Sequence, residues 1–250
     1  VDKDDTYPQV KESLQILSQC WENNEFEWDG SIQISPRSVI PRPIQLPHPP
    51  LYMACTKDET VRLAAEYGVG ALVLGFSGPT QVQALREIYD EAIATRDPDS
   101  CITKQPTNFL SALCPTIVLD DAEEAFQIGA RGQKFFAESI QHWNLGTPLP
   151  ETVPPEIDIR DAVSDAKEQV EAFMVEGGHP VPSVVASTSP FNIEHAYGNK
   201  NDAIEYVAQL QKAGADEIMC IMQMGGVPHE AAIETIRQYG QYVIPHFSES

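Results

Sequence analysis

Short apolar runs alternate with amphipathic, helix-like segments along this chain, and that alternation restricts the fold more than any other feature. Apolar runs cover residues 51–55, 71–76 and 217–224, and a further strand region, 109–119, is expected to be interrupted at Pro115. Runs that are apolar on both faces are typical of parallel strands covered by helices. The pattern therefore predicts an α/β fold with a parallel sheet of about four βα units.

The predicted helices follow a 3.6-residue periodicity of apolar side chains. A small hairpin is expected to pair residues 26–30 with 32–34. Asp120 or Asp121 is expected to cap the fourth helix, and Pro245 to lie just beyond the last one. Helices are predicted at 7–21, 59–67, 80–94, 121–140, 163–175, 201–213 and 230–243. The whole chain, 1–250, is expected to form a single domain with irregular insertions at about 143–160 and 179–198.

Composition excludes several classes of partner. Acidic residues outnumber basic ones by 37 to 16, giving a net charge of -21, which argues against nucleic acid or an anionic membrane as a partner. The five cysteines form no CxxC pair and no zinc-ligand spacing, so no metal site is predicted and a reducing cytoplasm is expected. The longest apolar run, residues 69–76, is too short to span a bilayer.

The turn after the first predicted strand is the strongest candidate for a ligand site. The Pro-rich stretch 43–50 cannot be helical and leads into the apolar run 51–55. Thr56 stands where a helix N-cap is expected, and a strand followed by a helix N-terminus presents free backbone N–H groups to an anion. Lys57 adds a cation there. An ordinary strand–helix connection, with a solvated lysine, is the alternative interpretation.

Eight segments, taken in order, resemble the luciferase-like, flavin-dependent monooxygenase family. The helix ending in Trp21, the aromatic arm at 26–30 and the Pro-rich lead-in at 41–50 are each similar to a feature of that family. The shared order over almost the whole chain is more specific than any one segment. The segments are 7–21, 26–30, 41–50, 54–60, 64–68, 198–217, 223–230 and 243–247.

The resemblance implies a TIM-barrel-type (β/α)8 fold and oxidation of a small organic substrate by O2 through reduced FMN, which a flavin reductase would supply. Some family members instead use the deazaflavin F420 and transfer hydride. A non-catalytic flavin-binding or associating remnant of the family is the alternative. A different barrel enzyme that binds a phosphorylated metabolite is a third, weaker one.

One departure from the family bears on the fold. Family members usually carry four further βα units before the helix with which this sequence opens, so the barrel is expected to be incomplete or completed by another chain. Because an open sheet exposes two edges, a homo-oligomer or a complementing chain is expected to cover them. The catalytic residues are left unassigned for the same reason.

The family pattern assigns cofactor contacts residue by residue. The Thr56 hydroxyl and the amides of Lys57 and Thr60 would contact the FMN phosphate. Ala54 and Phe76 would face the isoalloxazine ring, although Phe76 as a plain core residue is equally compatible with the sequence. The residues assigned to the cofactor are Ala54, Cys55, Thr56, Lys57, Thr60, Gly75, Phe76, Tyr197 and Gly198.

Overall fold

The structure, a computed structural model, describes residues 6–76, 78–165 and 197–248. The chain divides into two compact units, each described by itself below. The first unit contains Val1–Cys55, Glu59–Leu72 and Ile88–Phe109. The second contains Thr56–Asp58, Val73–Glu87 and Leu110–Ser250. None of the helices in the described ranges combines the length and the apolar character needed to cross a lipid bilayer.

The first unit opens with a helix and the predicted hairpin. Helix α1 (Thr6–Glu22) precedes the antiparallel strands β1 (Glu25–Asp29) and β2 (Gln33–Ser38). The Glu12 carboxylate joins them, because it accepts hydrogen bonds from Trp28 Nε1 at 2.8 Å and from the Ser31 hydroxyl. Both the helix and the hairpin predicted from the sequence are confirmed.

Strand β3 (Tyr52–Cys55), helix α2 (Asp58–Tyr67) and the start of β4 (Gly70–Leu74) follow in the chain. Helix α2 ends at Gly68, whose φ of 71° suits glycine, as its position in the sequence indicates. The buried Tyr89, in the second half of helix α3 (Pro79–Thr95), donates its hydroxyl to the Val69 carbonyl over 2.8 Å. A short 3-10 turn, Pro98–Ser100, completes the unit.

The strands confirm a parallel sheet. Four of them hydrogen-bond in the order β3-β4-β5-β8, and two short strands form a separate pair, β6-β7. The pairs β5–β8 and β6–β7 are parallel. The predicted break near Pro115 is present, because Thr116 separates β5 from β6. The bounds are β5 (Leu110–Pro115), β6 (Ile117–Val118), β7 (Tyr197–Gly198) and β8 (Glu217–Ile221). A sheet of about four strands with helices between them fits an incomplete TIM-type barrel.

Helix α4 (Ala122–Leu145) is the longest element, and the Asp121 carboxylate caps it by accepting the amides of Glu123 and Glu124. It runs five residues past its predicted end and stops at Gly146. Its buried face packs with Ile117, Tyr197 and Met224 in one apolar cluster. The helix therefore forms part of the core of the second unit.

The last helices depart from the sequence prediction in one respect. Helix α5 (Lys200–Lys212) agrees with it. Helix α6 (His229–Gln238) continues through a π-helical turn, Tyr239–Val243, into α7 (Ile244–Ser248), so Pro245 lies inside the helical segment rather than beyond it. Proline has no N–H to donate at this point, and it follows directly on the π-helical turn, where the helical hydrogen-bond pattern already changes.

The predicted insertions are described only in part. Residues 146–159 lack regular helix or strand, as expected for the 143–160 insertion, and a helical turn starts at residue 160. Residues 166–196 lie outside the described residues. Most of the predicted helix 163–175 and of the 179–198 insertion therefore falls outside them as well.

Candidate functional site

Cys55 ends β3 as a buried, neutral thiol. Its Sγ donates to the Thr60 carbonyl oxygen and to the Met53 carbonyl oxygen, both at 3.3 Å. Burial raises the pKa of the Cys55 thiol to about 12, outweighing the hydrogen bond to Thr60. Since thiolates rather than thiols are nucleophiles, Cys55 is suited to packing and not to covalent chemistry.

The turn between β3 and α2 exposes its polar residues. Ala54, Thr56 and Lys57 are exposed, and Thr60 is half-buried. Helix α2 begins at Asp58, so Lys57 rather than Thr56 directly precedes it, one residue later than the sequence indicates. The first-turn amides of α2 have no partners within their own helix, and the exposed residue Lys57 directly precedes them in the chain.

Two carboxylates act against anion binding at this helix start. Asp58 and Glu59 occupy the first turn, where they complement the positive end of the helix dipole. Glu59 is also held by Tyr7 of α1, whose pKa is raised by burial and by the charge and hydrogen bond of Glu59. An anion would therefore depend on the backbone amides and on Lys57 to offset these two negative charges.

A buried hydrogen-bond network forms at the end of β4 in the second unit. Gln133 of α4 donates from Nε2 to the Phe76 carbonyl oxygen at 3.2 Å and accepts the Tyr197 hydroxyl on Oε1. Burial raises the pKa of Tyr197 well above its ordinary value, so the hydroxyl keeps its proton. Gln133 and Tyr197 are 2% and 3% exposed, so water cannot replace either partner.

Phe76 and Gly75 are both buried. The Phe76 ring packs edge-on against Phe136, with ring centroids 5.6 Å apart, in agreement with the alternative interpretation of Phe76 as a core residue. A Cβ atom at Gly75 would lie 2.7 Å from Cys114 Sγ, so glycine allows close packing between β4 and β5. A contact between either residue and a cofactor stays a prediction.

Gly198 is packed against the start of α5. Asn199 caps α5, and the Asp202 carboxylate accepts the Asn199 amide at 2.8 Å in a reciprocal capping box. A Cβ atom at Gly198 would collide with the Asp202 side chain. The roles of Tyr197 and Gly198 that the structure describes are therefore structural, and their contact with a cofactor stays a prediction.

Gln133 is the residue that sequence reasoning missed. It lies at helical spacings of four, three and seven residues from Gly129, Phe136 and Ile140, which are small or apolar residues of α4. A single polar residue within an apolar helical stripe is the signal that could have identified it, because a buried amide requires hydrogen-bond partners.

Among the described residues that the sequence assigns to the cofactor, those of the turn before α2 fit an anionic group. The exposed turn at Thr56 and Lys57 offers amides and a cation, which is the donor set a phosphate requires. Its location after a strand of a barrel-type sheet is where such folds bind ligands. The fold therefore defines the class as an α/β barrel-type protein, and anion binding at this turn stays a prediction.

The chain belongs to the luciferase-like monooxygenase family, whose sequence model matches residues 1–217. It is also 23% identical over 236 residues to the uncharacterized protein y4wF of Sinorhizobium fredii (strain NBRC 101917 / NGR234). That match covers 94% of this chain and 60% of y4wF. The chain thus spans less than two thirds of its relative's length.

Solved structures show the same fold at low sequence identity. The monooxygenase RslO1 from Streptomyces bottropensis superposes with a TM-score of 0.60 at 18% identity, covering 99% of this chain and 63% of RslO1. The coenzyme F420-dependent tetrahydromethanopterin reductase from Methanopyrus kandleri gives 0.58 at 20% identity, covering 95% of this chain and 62% of the reductase. The fold is therefore shared with an F420 enzyme as well as with a monooxygenase.

Proposed function

We propose that this chain is the FMN-binding part of a luciferase-like monooxygenase that oxidises a small organic substrate with O2 and reduced flavin. The observation that carries the proposal is the exposed turn at Thr56 and Lys57, immediately before the first-turn amides of α2. Membership of the luciferase-like monooxygenase family supports an oxidoreductase activity.

The residues of the chain would bind and orient the cofactor. Lys57 and the amides that follow it bind the phosphate, with the Thr56 hydroxyl as a further donor. The neutral Cys55 thiol packs behind this turn. Gln133 holds the backbone of Phe76 in place at the end of β4. Reduced flavin supplies the reaction with O2, and the protein contributes binding, orientation and exclusion of water.

The proposal extends to partners and compartment. A small-molecule substrate, O2 and a flavin reductase would be needed for turnover. A second copy of the chain or a complementing chain would cover the open edges of the sheet. All five cysteines are free, which suits a reducing cytoplasm.

F420 is the alternative cofactor, because the reductase from Methanopyrus kandleri shares the fold. Both cofactors carry phosphate, so the turn at Lys57 would serve either of them. A non-catalytic flavin-binding protein is the alternative function, because family membership does not by itself show turnover.

Reconstitution of the purified chain separates these possibilities. The chain is titrated with FMN and with F420 while flavin fluorescence and melting temperature are recorded. O2 consumption is then measured with reduced FMN and a panel of aldehydes, ketones, alkanes and sulfonates. Substrate-dependent O2 uptake supports the monooxygenase, and binding without turnover supports the remnant. Selective binding of F420 supports hydride transfer, and binding of neither cofactor rejects the proposal.

A further inference from the structure

A half-open cavity of about 620 Å³ lies on one face of helix α4 in the second unit. Its volume is within the range of small-molecule sites, about 300–1,000 Å³. We propose that this cavity binds a small monocarboxylate with an apolar body, whose carboxylate group pairs with Arg131. This proposal goes beyond the function proposed above and does not depend on a flavin.

The cavity opens on the side of α4 that faces away from Gln133. Ile128, Arg131 and Phe135 line it and recur at helical spacings of three and four residues. Gln133 is two residues from both Arg131 and Phe135, which places it about 200° around the helix axis. A ligand in the cavity would therefore bind on the opposite face of α4 from the network of Gln133, Phe76 and Tyr197.

The walls of the cavity are mostly apolar. Ile128 and Phe135 form the helix side, and Val153 and Pro154 come from the irregular segment that follows α4. The segment after β8 closes another side with Gly226 and Pro228. These walls suit a short hydrocarbon body, because burying it removes apolar surface from water.

Arg131 supplies a cation that has no carboxylate partner among the described residues. Its Nη1 donates to the Gln127 carbonyl oxygen at 3.0 Å, and its Nη2 donates to the carbonyl oxygens of Pro155, also at 3.0 Å, and Ile157. The Nε–H is buried without a hydrogen-bond partner. Because a guanidinium group has five N–H donors, two have no acceptor in the described part of the chain: the buried Nε–H and one N–H on Nη1, which is the donor left for an anion.

Glu124 restricts which anions fit the cavity. It also lines the cavity, seven residues before Arg131 and therefore about 10 Å away along the helix. When the carboxylate binds Arg131 and the ligand extends toward the start of α4, its far end lies near Glu124. A second carboxylate at that far end would meet a like charge, so a dicarboxylate should bind more weakly than a monocarboxylate.

Binding of octanoate to the full chain, measured by calorimetry and by ligand-observed NMR, tests the proposal. Octanol is the uncharged control and suberate the dicarboxylate control. We expect octanoate to bind at least about tenfold more tightly than either of them. The proposal is wrong if octanoate does not bind at millimolar concentration, or if octanol binds equally well.

Two matched glycine variants locate the bound ligand. A Cβ atom would meet nothing within 4 Å at Gly226, which lines the cavity, or at Gly240, which does not line it, and neither residue has a positive φ that would strain a side chain. Gly226→Leu should fill the cavity and weaken octanoate binding by about tenfold or more, and Gly240→Leu should leave it unchanged. Equal binding by the two variants would place octanoate elsewhere and overturn the proposal.

An arginine series tests the role of the charge. Arg131→Gln should abolish the preference for octanoate over octanol, and Arg131→Lys should keep part of it. Since Arg131 also holds the backbone at Pro155 and Ile157, the melting temperature of each variant is recorded as a check on folding. A folded Arg131→Gln protein that still prefers octanoate would exclude Arg131 as the carboxylate partner.

Discussion

The side-chain amide of Gln133 donates to the carbonyl oxygen of Phe76 over 3.2 Å. The same amide accepts the Tyr197 hydroxyl through its oxygen. One buried side chain thus connects helix α4 to the residues just after β4 and to the first residue of β7. Because parallel α/β folds bind ligands at the C-terminal ends of strands, a residue that fixes a strand end also fixes the geometry available to a ligand there.

A double-mutant cycle at Gln133 and Tyr197 should show strong coupling. Tyr197→Phe leaves a buried amide oxygen without a donor, and Gln133→Leu leaves the Tyr197 hydroxyl and the Phe76 carbonyl without partners. Each single variant should lose about 1–3 kcal/mol of unfolding free energy. The double variant should lose less than the sum of the two, because no unpaired side-chain group then remains between the two positions.

Urea unfolding monitored by circular dichroism measures this cycle. Gln209→Leu, on the exposed face of α5, is the matched control and should change the unfolding free energy by less than about 0.5 kcal/mol. Strictly additive losses in the double variant would mean that the two side chains do not interact as described.

Local sequence patterns predicted the helices and strands of this fold well. They did not predict contacts between residues that lie far apart in the sequence. The apolar runs predicted β3, β4, β5 and β8. Burial on both faces accounts for the apolar signal in β4 and β5, whereas β3 and β8 are only partly buried. The irregular segment that contains Pro155 gave no such signal. The Pro155 carbonyl oxygen accepts a hydrogen bond from Arg131, 24 residues earlier. Local periodicity does not indicate a contact over that distance in the sequence.

The candidate site also has one part that the local sequence predicted and one part that depends on long-range contacts. The turn at Thr56 and Lys57 was identified because proline, an apolar run and a polar turn lie next to each other in the sequence. Gln133 was missed because its partners, Phe76 and Tyr197, are 57 and 64 residues away. Only the folded chain brings them together.

Reversing the charge of Lys57 should weaken FMN binding. Lys57→Glu places a third carboxylate beside Asp58 and Glu59, so we expect the dissociation constant to rise more than about tenfold, which corresponds to about 1.4 kcal/mol or more. Asp58→Asn should lower the dissociation constant, because it removes one of the charges that oppose the phosphate. Flavin fluorescence titration measures both effects.

The control for this prediction is Lys212→Glu, which makes the same change in net charge on an exposed residue at the end of α5. It should affect FMN affinity only through the weak overall field, which salt screens. If Lys57→Glu and Lys212→Glu have equal effects, the phosphate does not bind at the turn before α2.

The stability that the Glu12 hydrogen bonds between α1 and the hairpin contribute should depend on pH. Hydrogen bonds from Ser31 and then Trp28 lower the pKa of Glu12 below its ordinary value of 4.5. A lowered pKa in the folded state means that the ionised carboxylate stabilises the fold above the ordinary value. That contribution is lost as the pH falls through the lowered pKa.

Melting temperatures of the Glu12→Gln variant and the unmutated chain between pH 3 and pH 7 provide the measurement. The difference between the two proteins should be constant above about pH 5 and shrink below about pH 4. Glu27→Gln, at an exposed position of the same hairpin, should give a smaller difference at every pH. A difference that grows toward low pH would contradict the assignment of Glu12.

The buried thiols should resist alkylation in the native protein. Burial raises the pKa of both Cys55 and Cys114 to about 12, so almost no thiolate forms at pH 8. Iodoacetamide should label the half-buried Cys20 and Cys101 first, and Cys55 and Cys114 only after denaturation. Peptide mapping by mass spectrometry gives the order. Labelling of Cys55 at the rate of Cys20 would show that its thiol is accessible and ionised.

The end of the sheet opposite the candidate turn should affect stability and not cofactor binding. The Asp216 carboxylate, just before β8, accepts both Arg86 Nη1 and the Leu110 amide at 2.8 Å. Asp216→Ala leaves the amide of the fully buried Leu110 unpaired, which should cost about 1–3 kcal/mol of unfolding free energy.

Gly214→Ala should destabilise the same end of the sheet by a different route. Gly214 has a φ of 93°, and an added Cβ would lie 2.6 Å from Arg86 Cγ, so backbone strain and a collision combine. Both variants should bind FMN with unchanged affinity at temperatures where they remain folded, because the N-terminal ends of barrel strands serve stability while ligands bind at the C-terminal ends. A loss of FMN affinity in a folded Asp216→Ala protein would mean that the cofactor site extends to this end of the sheet.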